Sequence, residues 1–246
     1  MAEIGLGYGS EFQLMRFLGH HRNELNELIH EASKINGAIE WLDFPIDNKR
    51  ISGDGEWKGI TCFKDRVEKE KYEEIETKWK DFWPQSGTAM NWDGVFRIGD
   101  TWYFVEAKAH KNESYQRCGA KKQESLDKIH KAFEETQEWF QAKPSEGWIK
   151  TDCYQLANRL AFMYFCNKYD IKAKLLYVGF INGFKIRVGD DFVCLKDEVH
   201  SVAEWEEIWK EELKMLGLDK RKVAPYIVFI YPDCDPHRKK QEMRSR

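Results

Sequence analysis

The segment from Asn91 to Lys108 constrains the fold more than any other part of the sequence. It contains two runs of β-branched and aromatic residues separated by Gly99-Asp100. Glycine followed by a small polar residue favours a two-residue hairpin turn with glycine in its first central position. This turn pairs Ile98 with Thr101 and thereby sets the register of the whole ladder. The sequence therefore predicts a β-hairpin.

The predicted register gathers charge at one end of the hairpin. It places Asp93 directly opposite Glu106, and Asn91 opposite Lys108. Side chains alternate between the two faces of a strand, so Asp93, Glu106 and Lys108 project to the same side. Two facing carboxylates repel each other unless a cation lies between them. Lys108 supplies part of that positive charge, and a divalent cation such as Mg²⁺ would supply the rest.

The opposite face of the hairpin is predicted to be a core face. It carries Trp92, Phe96, Ile98, Tyr103, Val105 and Ala107. On the charged side, Val95 and Phe104 are apolar, so the charges would lie at the end of a buried sheet. A half-exposed hairpin with a solvated Asp-Glu-Lys cluster is the alternative. A solvated face more often pairs unlike charges, and the directly opposed aspartate therefore favours a site.

Composition limits the class of protein. The 246 residues are 42% hydrophobic and include ten tryptophans, which is enough for a sizeable core and favours one domain over residues 1–246. The net charge of −3 argues against a protein that coats nucleic acid non-specifically, but it leaves room for a local basic cleft. The basic tail, residues 237–246, is at best an auxiliary phosphate contact.

The cysteines and the N-terminal segment indicate a compartment. The six cysteines show no paired close spacing, so neither a disulfide framework nor a structural zinc site is predicted. Cys234-x-x-His237 is an isolated half of a metal site. The N-terminus lacks a basic segment followed by an apolar run, and no stretch approaches membrane-spanning length. A cytoplasmic protein without membrane contact is the expectation.

Periodicity predicts a long first helix from Ser10 to a stop at Gly37. Ser10 would cap it, and Gln13 would complete a capping box. One apolar stripe carries Leu14, Met15, Leu18, Leu25, Leu28, Ile29, Ala32 and Ile35. Glu11 would project on the buried side of the first turn. There it either complements the helix dipole or brings a third carboxylate to the sheet.

The rest of the chain alternates between strands and helices. Strands are predicted over 38–44, 174–181, 184–188, 192–195 and 226–231, a loop over 47–59, and helices over 63–82, 124–140, 152–169 and 201–217. This order predicts an α/β domain with a mixed central β-sheet flanked by helices.

Polar residues near the charged end are candidates for contacts with a substrate. His110 lies in a polar loop that directly follows the hairpin. Gln155 and Arg159 share one face of the helix predicted over 152–169. Such side chains either bridge neighbouring elements or reach a phosphate, for which the arginine side chain is well shaped.

Taken together, Glu11 on the first helix, Asp93 on one strand and Glu106-Ala107-Lys108 on the next resemble the PD-(D/E)XK nuclease superfamily. The likeness extends over residues 8 to about 181. It includes Tyr8-Gly-Ser-Glu11, Asn91-Trp-Asp93, Val105-Glu-Ala-Lys-Ala-His110 and Tyr154-Gln-Leu-Ala-Asn-Arg-Leu160, which are similar to an uncharacterised bacterial group in that superfamily. The sequence departs from the Pro-Asp form of the motif, since Trp92 precedes Asp93.

The resemblance implies a restriction-endonuclease-like core of a helix, three strands, a helix and another strand. Residues 182–236 would elaborate that core with a further helix and strand. Asp93, Glu106 and the backbone carbonyl of Ala107 would hold Mg²⁺, with Mn²⁺ as a substitute. Glu11 would support a second metal or the water network. Lys108 would orient or deprotonate the attacking water and stabilise developing negative charge.

The expected function is therefore metal-dependent hydrolysis of phosphodiester bonds, most simply in DNA. The catalytic candidates are Glu11, Asp93, Glu106 and Lys108. The candidates for substrate contact or support are Gln155, Arg159, Asn91 and His110. A non-catalytic domain that binds nucleic acid or protein on the same fold is the alternative. Dimerisation would help such an enzyme cut two strands, but no sequence feature establishes a homodimer.

Overall fold

The computed structural model describes residues 8–42, 56–85, 90–143, 145, 147–150, 152–188 and 191–235. The helices are α1 (Ser10–His20), α2 (Arg22–Ser33), α3 (Lys69–Phe82), α4 (Gln123–Phe140), α5 (Gly147–Lys150), α6 (Tyr154–Lys168), α7 (Val202–Met215) and α8 (Lys220–Val223). The strands are β1 (Ile39–Trp41), β2 (Trp57–Lys58), β3 (Asn91–Trp92), β4 (Gly94–Ile98), β5 (Thr101–Lys108), β6 (Ala173–Gly179), β7 (Lys185–Val188), β8 (Asp191–Cys194) and β9 (Ile227–Ile230).

A mixed five-stranded sheet forms the centre of the protein, in the order β1-β4-β5-β6-β9. The first three strands of this order are antiparallel, whereas β6 runs parallel to β5 and β9 runs parallel to β6. Two small antiparallel pairs, β2-β3 and β7-β8, lie outside this sheet. The predicted α/β class with a mixed, helix-flanked central sheet is confirmed.

Helices cover both faces of the central sheet and bury a core on each. On one face, α1 and α2 contribute Leu14, Phe17, Leu25 and Ile29 to a core that includes Phe96, Tyr103 and Val105. On the other face, side chains of α3, α4, α6 and α7 pack against Val95, Trp102 and Phe104. This burial explains why the sequence needs so many aromatic residues. Among the described residues, no helix is both long and apolar enough to cross a membrane.

The predicted hairpin register holds only from Gly94 onward. Gly94 pairs with Val105 and Ile98 with Thr101, and Gly99 occupies the turn with a φ of 57°. Before Gly94 the predicted ladder is wrong, because Asn91 pairs with Lys58 of β2 rather than with Lys108.

The side chain of Asp93 explains the departure from the predicted ladder. Its Oδ2 accepts a hydrogen bond of 2.7 Å from the Ala107 N–H, and the Asp93 N–H donates to the Val105 carbonyl at 3.1 Å. The carboxylate therefore replaces a backbone acceptor in the ladder, and the preceding chain pairs elsewhere. As a result Trp92 packs with Phe104, not on the face of Phe96 as predicted.

The long first helix is a wrong prediction, since two helices occupy its place. The chain breaks at His21, where φ is −128°, just after the weak helix formers Gly19 and His20. The predicted cap is also wrong: Gly9 is the N-cap, and the Ser10 hydroxyl donates to Glu113 instead.

The remaining differences concern the ends of elements. Of the predicted apolar stripe, Met15 and Ala32 are exposed, and α2 ends before Lys34, whose φ of 54° stops the helix ahead of Gly37. Within the predicted loop 47–59, Trp57 and Lys58 form β2, while residues 43–55 lie outside the described part of the chain.

The helix predicted from Phe63 begins only at Lys69, because Asp65 takes a left-handed φ of 62°. Helices α4, α6 and α7 and strands β6 to β9 lie close to their predicted positions. The basic tail, with His237, falls outside the described residues.

Candidate active site

Glu106 is the centre of a buried charge cluster on β5. Its Oε1 accepts a hydrogen bond of 2.5 Å from Lys108 Nζ, and its Oε2 accepts one of 2.6 Å from Arg159 Nε on α6. The ammonium of Lys108 also donates to Gln155 Oε1 at 2.7 Å. Glu106, Lys108 and Arg159 are only 2%, 5% and 6% exposed, respectively. The predicted strand residues and the predicted helix face therefore meet in one hydrogen-bonded cluster.

Asp93 adjoins this cluster through the backbone of β5. Its carboxylate holds the Ala107 N–H, which lies between Glu106 and Lys108 in the sequence. In an extended strand the N–H and C=O of one residue point to the same edge. The Ala107 carbonyl therefore points towards the same side as the Asp93 carboxylate. Two carboxylates and one carbonyl, all oxygen groups, lie at the end of the hairpin.

Arg159 is held by more than its ion pair. Its guanidinium carbon lies 4.6 Å from the centre of the Trp92 ring, a favourable cation–π distance. Its Nη1 also donates to Asn158 Oδ1 at 3.1 Å. Trp92 reaches this position because β3 leaves the hairpin ladder. The local irregularity before Gly94 thus helps to position a cation of the site.

The charged states of Glu106 and Lys108 stabilise each other. Burial alone would raise the pKa of Glu106, but the positive charges of Arg159 and Lys108 outweigh it, so the pKa of this carboxyl is lowered. Burial would lower the pKa of Lys108, yet Glu106, Glu113 and Asp93 outweigh that effect and raise it. Lys108 is therefore an ammonium group, a hydrogen-bond donor rather than a base.

Asp93 differs from Glu106 in its protonation. Burial of its carboxyl and the negative charge of Glu106 raise the pKa of Asp93 well above its usual value, against the opposing effects of Lys108, the Ala107 N–H and Arg159. Two close carboxylates share too little positive charge for both to ionise freely. The arrangement favours a proton, or another cation, beside Asp93.

A cleft of about 680 Å³ gives access to the cluster. Its lining includes Asp93, Gln155 and Arg159 from the cluster. The segment just before α4 adds exposed cations to the lining, namely Arg117, Lys121 and Lys122. Arg117 is paired with Asp152. The cleft therefore has acidic and amide groups in its lining together with several cations.

The remaining predicted residues lie at different places. Asn91 lines the cleft, where its side-chain amide donates to Glu56. His110 stacks on Phe184 with ring centres 4.0 Å apart and lies 3.6 Å from Glu113, so it packs against the residue that precedes β7. Glu11 is half-buried in the first turn of α1.

Two carboxylates near Lys108 were not among the predicted site residues. Glu113 accepts hydrogen bonds from the Ala109 N–H at 2.5 Å and from the Ser10 hydroxyl at 3.0 Å, and so ties α1 to the end of β5. The sequence indicated this position only in that Glu113 lies in the polar loop directly after the hairpin.

Glu212 on α7 is the second such carboxylate and is 1% exposed. Burial raises its pKa to about 8, although the positive charge of Lys108 opposes the shift. No acceptor or donor within the described chain satisfies its Oε2. Its spacing was an available signal, because Glu212 follows Ile208 and Trp209 at helical intervals and so falls on the apolar stripe of α7.

The oxygen groups of Asp93, Glu106 and Ala107 suit Mg²⁺, which needs only one or two protein carboxylates when water and phosphate supply the rest. Within the described residues, no group of three or more His, Cys, Asp or Glu side chains could hold a metal ion. Glu11 thus does not complete such a group with Asp93 and Glu106. A cation here would share Glu106 with Lys108 and Arg159.

Replacing Asp93 with asparagine is expected to stabilise the metal-free protein at pH 8. A carboxyl with a raised native pKa holds more protons in the native state than in the unfolded state, so stability falls as pH rises from about 4 towards the native pKa. Asparagine removes this dependence and keeps an oxygen for the Ala107 N–H. We expect a higher midpoint of thermal unfolding in EDTA, with the difference shrinking towards pH 4.

Asp100→Asn provides the control, because Asp100 lies in the exposed turn of the same hairpin. Its unfolding midpoint is expected to follow that of the wild type at every pH. Equal pH profiles for Asp93→Asn and the wild type would contradict the inferred protonation of Asp93.

These residues form a pair of acidic side chains, Glu106 buried and Asp93 half-buried, beside a cleft with basic residues. Comparisons with models of known protein families, with curated proteins and with solved structures found no match for this chain. The functional argument therefore rests on the chemistry and geometry of the cluster.

Proposed function

We propose that this protein is a metal-dependent nuclease that hydrolyses phosphodiester bonds, with DNA as its substrate. The observation that carries the proposal is the pair of Asp93 and Glu106 at the end of the hairpin, joined to Lys108 and next to the cleft. A binding surface alone gains nothing from placing Glu106 where its negative charge raises the pKa of Asp93. Perturbed pKa values of this kind are typical of catalytic sites.

The architecture lends further support. The sequence resembles the PD-(D/E)XK superfamily, and the chain order α1, β1, β4, β5, α6 and β6 agrees with the helix, three strands, helix and strand of a restriction-endonuclease-like core. Asp93 directly precedes the second strand of that order, and Glu106 and Lys108 lie on the third, close to where the resemblance puts the catalytic residues. The preference for DNA over RNA rests on the resemblance alone.

The cations of the cleft support a phosphate-containing substrate. Lys121 and Lys122 line it, next to Arg117, whose charge is offset by Asp152, and this positive charge is local in a chain with a net charge of −3. Positive side chains that follow a groove neutralise backbone phosphates and supply most of the non-specific affinity for nucleic acid. The substrate backbone would lie along these residues with a phosphate next to Asp93.

Each residue of the cluster has a role in this proposal. Asp93, Glu106 and the Ala107 carbonyl would hold Mg²⁺ or Mn²⁺, which supplies charge stabilisation and an activated water when bound. Lys108, as an ammonium, orients the water and stabilises negative charge that develops on the phosphate. Gln155 holds Lys108 in place, and Arg159 keeps Glu106 ionised.

One observation favours a second candidate, a non-catalytic domain that binds nucleic acid. Both oxygens of Glu106 accept hydrogen bonds from Lys108 and Arg159, so this carboxylate is already neutralised by protein groups. A domain that binds nucleic acid without a metal would be stable with Glu106 paired in this way. The two candidates differ in whether bound nucleic acid is cut.

The test is incubation of the purified protein with supercoiled, linear and single-stranded DNA and with RNA. Each substrate is combined with Mg²⁺, with Mn²⁺ or with EDTA, and the products are separated on gels. A nuclease cuts at least one substrate with a metal and none with EDTA. Binding of DNA without cleavage under any metal condition would support the second candidate and reject the first.

A further inference from the structure

The β9 strand leaves one edge of the central sheet open. It pairs only with β6, and no strand of the described chain lies on its other side. The Leu175 N–H donates to the Tyr226 carbonyl, so residues 226, 228 and 230 face β6. By alternation along the strand, Ile227 and Phe229 direct their N–H and C=O groups outward. An open edge of this kind is a template for pairing with another extended chain.

A groove of about 1230 Å³ runs beside this open edge. Ile227, Phe229, Trp209 and Leu213 give it an apolar floor. The groove therefore combines apolar area with the outward-facing backbone donors and acceptors of β9.

Charge is distributed unevenly along the groove. Lys143, Lys214, Lys220 and Lys222 line it, and none has an ion-pair partner among the residues that the structure describes. They belong to the end of α7, to α8 and to the segment beside Gly217, close to the start of β9. The opposite end is near Tyr231, whose pKa is raised by burial and by the negative charge of Glu206.

The other acidic residues of the groove are already paired. Glu207 lies 3.2 Å from Lys210, and Asp219 lies 2.9 Å from Arg221. The four unpaired lysines thus leave an excess of positive charge near the start of β9. An occupant with negative charge at that end would be attracted, and one with positive charge would be repelled.

We propose that this groove binds an extended peptide segment of a partner protein, apolar in its middle and acidic at one end, which pairs with β9 as a sixth strand. Backbone hydrogen bonds to Ile227 and Phe229 would supply affinity, and the lysines would select acidic sequences. The proposal does not depend on the nuclease activity, because the groove and the Asp93 cleft share no lining residue.

Other occupants fit the groove less well. A second copy paired through β9 would bring two concave, lysine-rich grooves face to face, and neither would fill the other. Nucleic acid would satisfy the lysines but has no backbone that can pair with a strand edge. The open edge and the apolar floor together favour a peptide.

The experiment is selection of peptides by the full-length protein from a phage-displayed library of random octapeptides. Selected sequences are expected to alternate apolar residues and to carry aspartate or glutamate at one end. A synthetic peptide of the selected sequence should slow hydrogen exchange at the amides of Ile227 and Phe229. Combined Lys214→Glu and Lys222→Glu substitutions should weaken its binding at least about tenfold, measured by fluorescence anisotropy.

Combined Lys64→Glu and Lys131→Glu substitutions are the matched control, since both lysines are exposed and lie outside the groove. They should leave peptide binding unchanged. Selection of basic or neutral peptides, or unchanged exchange at Ile227 and Phe229, would overturn the proposal. Two further results would overturn it. One is self-association in sedimentation that the Lys214 and Lys222 substitutions abolish. The other is binding of a single-stranded oligonucleotide, in place of the peptide, that the same substitutions abolish.

Discussion

Replacing Lys108 with methionine should reduce the rate of metal-dependent DNA cleavage by at least about a hundredfold. Methionine retains most of the length and apolar stem of lysine but removes the ammonium that contacts Glu106 and Gln155. The raised pKa of Lys108 means that this ammonium is present throughout the neutral range, so no pH in that range should restore activity. The measurement is the initial rate of cleavage at saturating Mg²⁺ or Mn²⁺.

The Lys111→Met variant is the matched control. Lys111 is exposed, only three residues further along the chain, and lies outside both the cluster and the cleft lining. Its cleavage rate should equal that of the wild type. If Lys108→Met cuts DNA as fast as the control, Lys108 has no catalytic role and the nuclease proposal loses its central residue.

The Arg159→Met substitution is expected to lower the free energy of unfolding by about 3–5 kcal/mol, the usual effect of removing one partner of a buried ion pair. The Glu106 carboxylate would keep its hydrogen bond from Lys108 but lose the one from Arg159 Nε. The cation–π contact with Trp92 would be lost as well. Denaturation in urea at pH 7 measures the change.

The loss of stability should depend on pH with a definite sign. The lowered native pKa of Glu106 stabilises the fold above the pKa of an unfolded glutamate, about 4.3, and this contribution disappears as the pH falls through the native value. The difference between Arg159→Met and the wild type should therefore narrow in acid. Adding Glu106→Gln to Arg159→Met should not recover the lost stability at pH 7, because the buried ammonium of Lys108 then loses its carboxylate partner.

The Arg97→Met variant tests whether burial of the ion pair causes the large loss of stability expected for Arg159→Met. Arg97 resembles Arg159 in its contacts, since it lies 5.3 Å from the Trp102 ring and 3.0 Å from Glu40. Its side chain and that of Glu40 are 34% and 62% exposed. An exposed pair of this kind contributes about 0–1 kcal/mol. Equal losses for Arg97→Met and Arg159→Met would contradict the argument.

The core of the hairpin could be predicted because its causes are local. A turn of Gly99-Asp100 and alternating apolar residues are enough to set the pairing from Gly94 to Val105. Asp93 directly precedes this paired region, and Glu106 and Lys108 follow it on β5. The α4 and α7 helices were likewise predictable from their own periodicity, since each buries one face, whereas α6 is buried on all sides from Leu156 to Cys166.

Elements that depend on distant partners could not be predicted in the same way. Asn91 and Trp92 pair with β2, more than thirty residues earlier in the chain, and leave the ladder that local alternation favours. The break at His21 separates two helices whose apolar residues follow a single stripe in the sequence. In both cases, packing against other elements outweighed the local pattern.

The sequence by itself determined the α/β class, the hairpin, and the presence of Asp93, Glu106 and Lys108 at one end of it. Only the tertiary structure decided what these residues contact. Arg159 is 53 residues from Glu106, and the sequence allowed it to reach either a phosphate or a neighbouring side chain. Likewise, only the approach of α7 to β6 buries Glu212 near Lys108. Turn chemistry and periodicity act between near neighbours in the chain, whereas burial and the pKa values that follow from it depend on all the elements around a side chain.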